Sequence, residues 1–217
     1  MKKSFIFGMS TLVLLAGFAA GVNAADVSGY ANIWTVLSSD DEKKEFKSSA
    51  EAEVDFQKTD EKTTVRVDVD LSGTTTSLEQ AKVTRGLKDS LSFTAGKFNT
   101  PIGLEKQDAP DKWQTSNGQL FGLRPANVTG VMLSWWGGPA GLDVYAVNDF
   151  RAATPAGADF DNSLGLHGTV KAGPVDLDLG YITTDQGGAG DVTDVVLSTK
   201  AVPNTVVAFE LLSDDNN

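Results

Sequence analysis

The sequence lacks cysteine altogether and contains a single histidine, His167. Without thiols the chain forms no disulfide bond, no thiolate metal or iron–sulfur site and no cysteine nucleophile, and one histidine cannot make a two-histidine metal site. Basic residues are also scarce, because 18 Lys and Arg stand against 29 Asp and Glu, for a formal net charge of −11. A protein that neutralises phosphates carries a basic surface, so nucleic acid is not expected as a partner.

Long apolar runs are missing after the first 24 residues. At the start of the chain, Lys2 and Lys3 precede the apolar run 5–22, and small residues lead up to Ala24. This order is typical of a secretory signal peptide, so we predict that residues 1–24 are the signal and 25–217 the exported domain. The alternative, an uncleaved membrane anchor, is disfavoured by the short apolar run. An exported chain of this kind can cross a membrane again only as strands.

The exported part alternates with a period of two. Within Phe46–Lys58, small or apolar residues occupy the even positions from 46 to 56 and polar or charged residues the odd ones, and Thr63–Leu71 alternates in the same way with its apolar residues at odd positions. Strand side chains alternate between faces, so these segments are two-faced strands. Each is at least as long as the roughly nine to eleven residues that a tilted strand needs to cross a bilayer. The remaining predicted strands are Val27–Leu37, Leu78–Leu87, Leu91–Phe98, Val128–Trp136, Leu142–Asn148, Asn162–Ala172, Val175–Tyr181, Val192–Lys200 and Thr205–Leu212.

The predicted connections are sorted by length. Long ones occur at alternate positions along the chain, except for the modest connection Ser72–Ser77, and short turns occupy the positions between them. Bacterial outer-membrane barrels have this arrangement, with short turns on one side and long loops on the other. We therefore predict an all-β fold, an antiparallel up-and-down transmembrane β-barrel with about 11 strands present and a long inserted loop after the fifth strand. The predicted long connections are Ser38–Glu45, Asn99–Asn127, Asp149–Asp161 and Thr184–Asp191.

The polar face of the early strands is strongly acidic. A four-residue turn at Thr59–Lys62 would place three pairs opposite each other: Asp55 with Arg66, Glu53 with Asp68, and Glu51 with Asp70. Opposed like charges destabilise a ladder unless water or mobile cations screen them. We call Glu51, Glu53, Asp55, Asp68 and Asp70 the acidic wall, and we predict that it lines a pore together with Arg66 and Lys82 and raises the local cation concentration. The alternative is the solvated outer face of a soluble sheet.

The long connection Asn99–Asn127 carries charges of both signs. A loop of this length is usually functional or disordered. We predict that it narrows the pore and that Glu105, Asp108 and Arg124 screen solutes there by size and charge.

A family resemblance begins in the fifth predicted strand. The runs LSFTAGKFNTPIGLE at 91–105 and RPANVTGV at 124–131 resemble the OmpL-like β-barrel porin group and are similar to phosphate-selective porins. The resemblance implies a barrel whose long loop folds inward to narrow a water-filled pore. Those porins are longer and end on a strand with a terminal aromatic residue. Because this chain ends at Leu211–Asn217 after an odd strand, we expect a barrel truncated at its C-terminus.

These features together predict a passive porin of a Gram-negative outer membrane, with a channel for small hydrophilic solutes or ions and a mild cation preference. A phosphate-selective pore would require a ladder of inward-facing bases, and the early strands offer only Arg66 and Lys82. The expected partners are outer-membrane lipid and the transported solutes, and the porins it resembles are often trimers, which makes a homotrimer the expected assembly.

Two other functions stay open at this stage, a non-conducting structural or adhesion barrel and a secreted soluble β-sandwich that binds carbohydrate. We expect no enzyme activity, no cofactor and no metal site. Ser163 and His167 lie about 13 Å apart along one strand, too far for a nucleophile–base pair.

Overall fold

The computed structural model describes residues 5–7, 25–40, 43–108, 111–112, 118–148, 150, 162–184 and 190–215. Its strands form one antiparallel sheet in which each strand pairs with its neighbour in sequence. This confirms the predicted all-β, up-and-down topology. A 3₁₀ helix occupies Leu120–Leu123. The strands are β1 Phe5–Phe7, β2 Asp26–Asp40, β3 Lys43–Asp60, β4 Thr63–Ser72, β5 Thr75–Lys88, β6 Leu91–Asn99, β7 Asn127–Gly137, β8 Ala140–Asn148, β9 Asn162–Ala172, β10 Val175–Ile182, β11 Val192–Thr199 and β12 Val207–Asp214.

No helix within the described residues has the length and hydropathy needed to cross a bilayer.

Strand β1 lies inside the segment predicted to be a signal peptide. It pairs with residues 35–37 of β2, and the rest of residues 1–24 lies outside the described residues. Cleavage after Ala24 stays a prediction. It would remove β1 and leave the strands β2 to β12, which correspond one by one to the strands predicted from the alternation.

The turn between β3 and β4 is tighter than predicted. The two strands stay paired up to Asp60 and Thr63, so the turn consists of Glu61 and Lys62 alone, with Glu61 in the left-handed region at φ 48°. Two-residue hairpins need such a positive φ. The predicted pairing was therefore wrong by two residues, although a shift of two keeps every side chain on its face. The observed pairs are Glu51 with Ser72, Glu53 with Asp70, Asp55 with Asp68, and Gln57 with Arg66.

The prediction of a long loop at Ser38–Glu45 was wrong. Strands β2 and β3 stay paired up to Asp40 and Lys43 and leave only residues 41–42, outside the described residues, to connect them. Polar composition does not prevent strand pairing, because the two backbones satisfy each other's hydrogen bonds. With 15 and 18 residues, these strands are longer than a bilayer requires,. The hairpin therefore extends past the length needed to cross the membrane.

From β6 onward the connections alternate in length as predicted, except that residues 200–206 form a longer connection where the alternation predicts a short turn. The short turns are Gly138–Pro139 and Gly173–Pro174, in which the glycines have φ values of 59° and 64°. Glycine adopts these values without strain, and proline fixes the negative φ that follows. The long connections are residues 100–126, 149–161 and 183–191.

The two faces of the sheet are inverted relative to a soluble protein. Large apolar side chains are exposed on the outer face, such as Val65 at 43% and Leu133 at 43%. Charged side chains are buried on the inner face, such as Asp68 at 0% and Asp194 at 2%. Water-soluble folds rarely bury such groups and do not expose a continuous apolar surface of this extent.

Candidate functional site: an inserted loop against an acidic inner wall

The connection between β6 and β7, residues 100–126, lies against the inner face of the sheet. On one side, the backbone N–H of Gly103 donates to Asp194 Oδ2 of β11 at 2.8 Å, and that of Leu104 donates to Glu210 Oε1 of β12 at 3.0 Å. On the other side, carboxylate oxygens of Asp108, Glu53 of β3 and Glu79 of β5 all lie within 4.8 Å of one another. The loop therefore contacts strands on both sides of its own position in the sheet.

These contacts require a strongly curved sheet. In a flat sheet β3 and β12 would lie about 43 Å apart, at roughly 4.8 Å for each strand spacing. Residues 104 and 108 can be at most about 14 Å apart, even in a fully extended chain. The sheet must therefore wrap around the loop with its polar face inside, as the predicted inserted loop requires. Among the described residues no pairing joins the first strand to the last, so the sheet does not close into a ring there.

An apolar anchor fixes the start of the loop. The Ile102 side chain is 1% exposed and packs into a cluster on the inner face at the end of the sheet where the long connections lie. Beneath it, Gly180 of β10 provides the space, since a Cβ there would come within 2.8 Å of Ile102 Cγ1. The other buried members of the cluster are Phe98, Val128, Tyr145, Val147, Ile182 and Val192.

The alternation alone did not predict this anchor, because it indicates a uniformly polar inner face. The alternation of β6 contained the signal. Phe93 and Ala95 face outward, so Phe98 falls on the inner face and requires an apolar neighbour there,.

Arg124 fixes the shape of the loop. Its Nη1 donates to the carbonyl of Ile102 at 2.7 Å and its Nη2 to the carbonyl of Glu105 at 2.5 Å, while the guanidinium lies 4.5 Å from the Phe121 ring centroid. The arginine stem packs on Gly103, where a Cβ would lie 2.3 Å from Arg124 Cδ. Burial lowers the pKa of Arg124, and the neighbouring acids oppose this shift. Arg124 thus fixes the backbone of the loop through two hydrogen bonds.

Glu105 also acts within the loop. Its two carboxylate oxygens accept hydrogen bonds from the Gly118 N–H at 2.8 and 2.9 Å. It also lines a cavity of about 500 Å³ between the loop and β12, which includes Lys106, Asp111 and Glu210. Glu105 therefore supports the loop and borders open space at the same time.

A β-bulge in β5 adds an acid that the alternation did not predict. Asp68 of β4 pairs with Gln80 of β5, but the next residue, Val69, pairs with Leu78. Glu79 is therefore the extra residue of the bulge and has no pairing partner in β4. Glu79 and Gln80 are consecutive, yet both are buried, with 3% and 2% of their surface exposed. A strict period of two cannot place neighbouring residues on the same face, but a bulge can. Glu79 therefore could not be predicted from the alternation.

One part of the acidic wall is compensated by a hydrogen-bonded network. Arg66 Nε donates to both Asp68 oxygens at 2.8 Å, and Gln80 Nε2 donates to Asp68 Oδ2 at 2.5 Å. Lys82 Nζ donates to Gln80 Oε1 at 2.8 Å, and Arg66 Nη2 lies 3.8 Å from Asp55 Oδ1. These contacts bring together four of the predicted pore-lining residues. These attractive contacts offset the electrostatic repulsion between Asp55 and Asp68, which are paired across β3 and β4,.

A second group of acids lacks this compensation. We call Glu53, Glu79 and Asp108 the acidic cluster. Glu53 Oε2, Glu79 Oε1 and Asp108 Oδ1 are buried and have no hydrogen-bond partner among the described residues. Burial raises the pKa of Asp108, and nearby acids raise it further, while Arg66 opposes the shift. Three carboxyl groups with unpartnered oxygens therefore lie close together where the loop meets the wall.

The last two predicted wall residues border open space. Glu51 and Asp70 line a cavity of about 270 Å³ between β3–β5 and the loop, together with Glu79, Gln107 and Lys112. Asn32 Nδ2 donates to Glu51 Oε1 at 3.2 Å. The structure thus places all the predicted residues on the inner wall or in the loop. It adds Glu79, Asp194 and Glu210, which the sequence analysis did not choose.

His167 occupies a separate part of the inner wall. Its Nδ1 lies 3.0 Å from Asp143 Oδ2 and its Nε2 lies 3.6 Å from Asp178 Oδ1. The hydroxyl of Ser163 has no hydrogen-bond partner among the described residues. The histidine therefore pairs with carboxylates on neighbouring strands, and the geometry of a serine–histidine pair is not found in the described part of the chain.

Replacing Ile102 by Ala should release the loop from the wall. Removing a buried isoleucine side chain costs about 2–5 kcal/mol, and each 1.4 kcal/mol is about tenfold in an opening equilibrium. We expect trypsin to cleave after the exposed Lys106 at least about tenfold faster in the folded variant. The matched control is Leu123→Ala, which removes an apolar side chain of the same connection that is already 36% exposed. Equal cleavage rates in the two variants would contradict the anchoring role of Ile102.

Comparison with known proteins identifies a family. The family model described as Putative beta-barrel porin-2, OmpL-like, matches residues 22–184, which is most of the chain and spans β2 to β10 with the inserted loop. Among curated proteins, none matches the chain significantly. A porin family implies a location in a bacterial outer membrane, in agreement with the inverted faces of the sheet. The chain therefore belongs to the OmpL-like family of beta-barrel porins.

Proposed function

We propose that the protein is a passive porin that forms a water-filled channel for small hydrophilic solutes or ions, with a mild preference for cations. The observation that carries the proposal is the inversion of the two faces, with apolar side chains outside and charged side chains inside. In a bilayer the outer face would contact acyl chains, and the pairing of each strand with its neighbours satisfies backbone groups without water, as in outer-membrane barrels,. The proposed partners are outer-membrane lipid and the solutes, with a homotrimer as the assembly.

The charge of the inner face supports the cation preference. On β3 to β5 the carboxylates of the acidic wall and Glu79 outnumber the cationic groups of Arg66 and Lys82. On the later strands Asp143, Asp178 and Asp194 add further acids on the same face. Fixed negative charge in a narrow aqueous space attracts cations and repels anions.

The loop arrangement supports conduction over a closed structural barrel. Among the described residues the loop leaves cavities on both of its sides, about 270 and 500 Å³ in volume. Polar cavities of this size hold water. Water beside the loop supports a conducting channel that the loop narrows without sealing.

The soluble β-sandwich agrees less well with the observed fold. A sandwich buries the apolar face of one sheet against a second sheet. In the described residues there is a single sheet, and its apolar face is the exposed one.

Planar-bilayer recording tests the proposal. The exported protein, purified in detergent, should insert in discrete conductance steps, and a potassium chloride gradient should give a zero-current potential of the sign for cation preference. Folded protein that inserts without conductance would favour the structural or adhesion barrel. An anion-selective potential would refute the role of the acidic wall. A heat-modifiable band on a detergent gel verifies the folded barrel before each recording, and its absence would favour the soluble module.

A further inference from the structure

We propose that the acidic cluster binds one divalent cation, with Ca²⁺ as the best fit, and that this cation ties the inserted loop to the wall. The ligands come from Glu53 on β3, Glu79 on β5 and Asp108 in the loop, whose carboxylate oxygens lie within 4.8 Å of one another. Two oxygens bound to one Ca²⁺ at roughly 2.4 Å each are separated by no more than that distance. The cluster therefore has the size of a single coordination sphere.

The burial of the two strand residues is the independent observation. Glu53 and Glu79 have only 2% and 3% of their surface exposed, yet Glu53 Oε2 and Glu79 Oε1 have no hydrogen-bond partner within the described part of the chain. Leaving buried carboxylate oxygens unpaired is costly, and buried charges are normally paired or coordinate a metal. A bound cation would satisfy these oxygens and remove the repulsion among the three acids.

The neighbouring acids already face a cationic side chain of the protein, Arg66. Glu53, Asp55 and Asp68 also lie close enough to share an ion. However, Asp68 accepts hydrogen bonds from Arg66 and Gln80, and Asp55 Oδ1 lies 3.8 Å from Arg66. A cation placed there would face the guanidinium directly. The site therefore lies on the loop side of Glu53.

The available donors select the type of cation. The donors are carboxylate oxygens, and Gln107, one residue before Asp108, adds a buried side-chain oxygen without a partner beside the same cavity as Glu79. Hard cations such as Ca²⁺ prefer oxygen ligands and complete six to eight positions with water. The sequence predicted no metal site because it lacks cysteine and contains one histidine. Those residue types give no information about an oxygen-only site built on a β-bulge.

The site adds a property beyond conduction. Two ligands belong to strands of the wall and one to the loop, so the cation would hold the loop in the channel and stabilise its docked position. Cation binding can be measured in the folded protein without any current. A failure of the porin proposal would therefore leave this inference testable by itself.

Isothermal titration with CaCl₂ tests the site, using the full exported chain in detergent after treatment with EDTA. We expect one saturable site in each chain. Terbium luminescence, excited through the tryptophans, should report the same site and should be displaced by Ca²⁺. Glu53→Gln, Glu79→Gln and Asp108→Asn should each weaken binding at least tenfold. Because Asp108 lies in the loop, its variant leaves the strand pairing unchanged.

The matched control is Asp176→Asn, which removes one carboxylate from β10, outside the cluster. Its affinity should equal that of the unmodified protein. Absence of a saturable site in the unmodified protein would overturn the proposal. Equal weakening in the control and the cluster variants would also overturn it, because it would show diffuse attraction to an acidic surface. The heat-modifiable gel band establishes that every variant is folded.

Discussion

Removal of three carboxylates from the inner wall, by Glu51→Gln, Asp55→Asn and Asp70→Asn together, should lower the ratio of cation to anion permeability by roughly threefold or more. These residues lie on the inner face of β3 and β4, and two of them line the cavity beside the loop. Their fixed negative charge attracts cations into the channel and repels anions. Loss of this charge should therefore allow more anions to permeate. The zero-current potential across a potassium chloride gradient measures the ratio, and the change should be larger at low ionic strength, where screening is weaker.

The matched control removes the same charge from the turns. Asp60→Asn, Glu61→Gln and Asp89→Asn together neutralise three exposed carboxylates at the ends of the β3–β4 and β5–β6 hairpins. This variant should keep the permeability ratio of the unmodified channel to within a small change. An equal shift in both variants would show that overall protein charge, and not the inner wall, sets the selectivity.

Replacement of Leu133 by Arg should strongly destabilise the folded protein in a bilayer. Leu133 lies near the middle of β7 and pairs with Phe93 and Val144, which are exposed on the same outer face. A cationic side chain on the lipid face of a barrel costs about 2–4 kcal/mol near the bilayer midplane. Denaturant unfolding in lipid vesicles, followed by tryptophan fluorescence, should show this loss of unfolding free energy.

The control for this substitution puts the same side chain on the opposite face. Thr84 of β5 faces inward, where its hydroxyl is 2.9 Å from that of Thr94. Thr84→Arg loses one side-chain hydrogen bond, worth about 1 kcal/mol, and places the charge in an aqueous interior. A larger loss for Thr84→Arg than for Leu133→Arg would mean that the two faces have been assigned the wrong way round.

Strand order and the facing of side chains could be predicted from the sequence, because both follow from a period of two. Val65 and Val69 on one face and Arg66 and Asp70 on the other are already separated by the alternation in β4,. Register could not be predicted, because it depends on a turn in which Glu61 adopts a positive φ. The resulting shift of two residues changed the cross-strand partners and left the faces intact.

The candidate site was predicted in part, and the missing parts have local causes. Asp108 was chosen from its charge and its place in the long connection, but its partner Glu79 faces inward only because β5 contains a bulge. The roles of Arg124 and Ile102 depend on contacts between residues distant in sequence. Composition and periodicity contain no information about such contacts, which form only when the sheet wraps around the loop.

Single-cysteine labelling tests the orientation of the faces most directly, because the chain contains no cysteine of its own. Each position from 65 to 70 of β4 is replaced in turn by Cys, and the protein is reconstituted in phospholipid vesicles. Fluorophores attached at 65, 67 and 69 should be quenched by brominated acyl chains, and those at 66, 68 and 70 by acrylamide, a neutral quencher, from the aqueous phase. Quenching of the odd positions by acrylamide and of the even positions by lipid would contradict an apolar exterior around an aqueous channel.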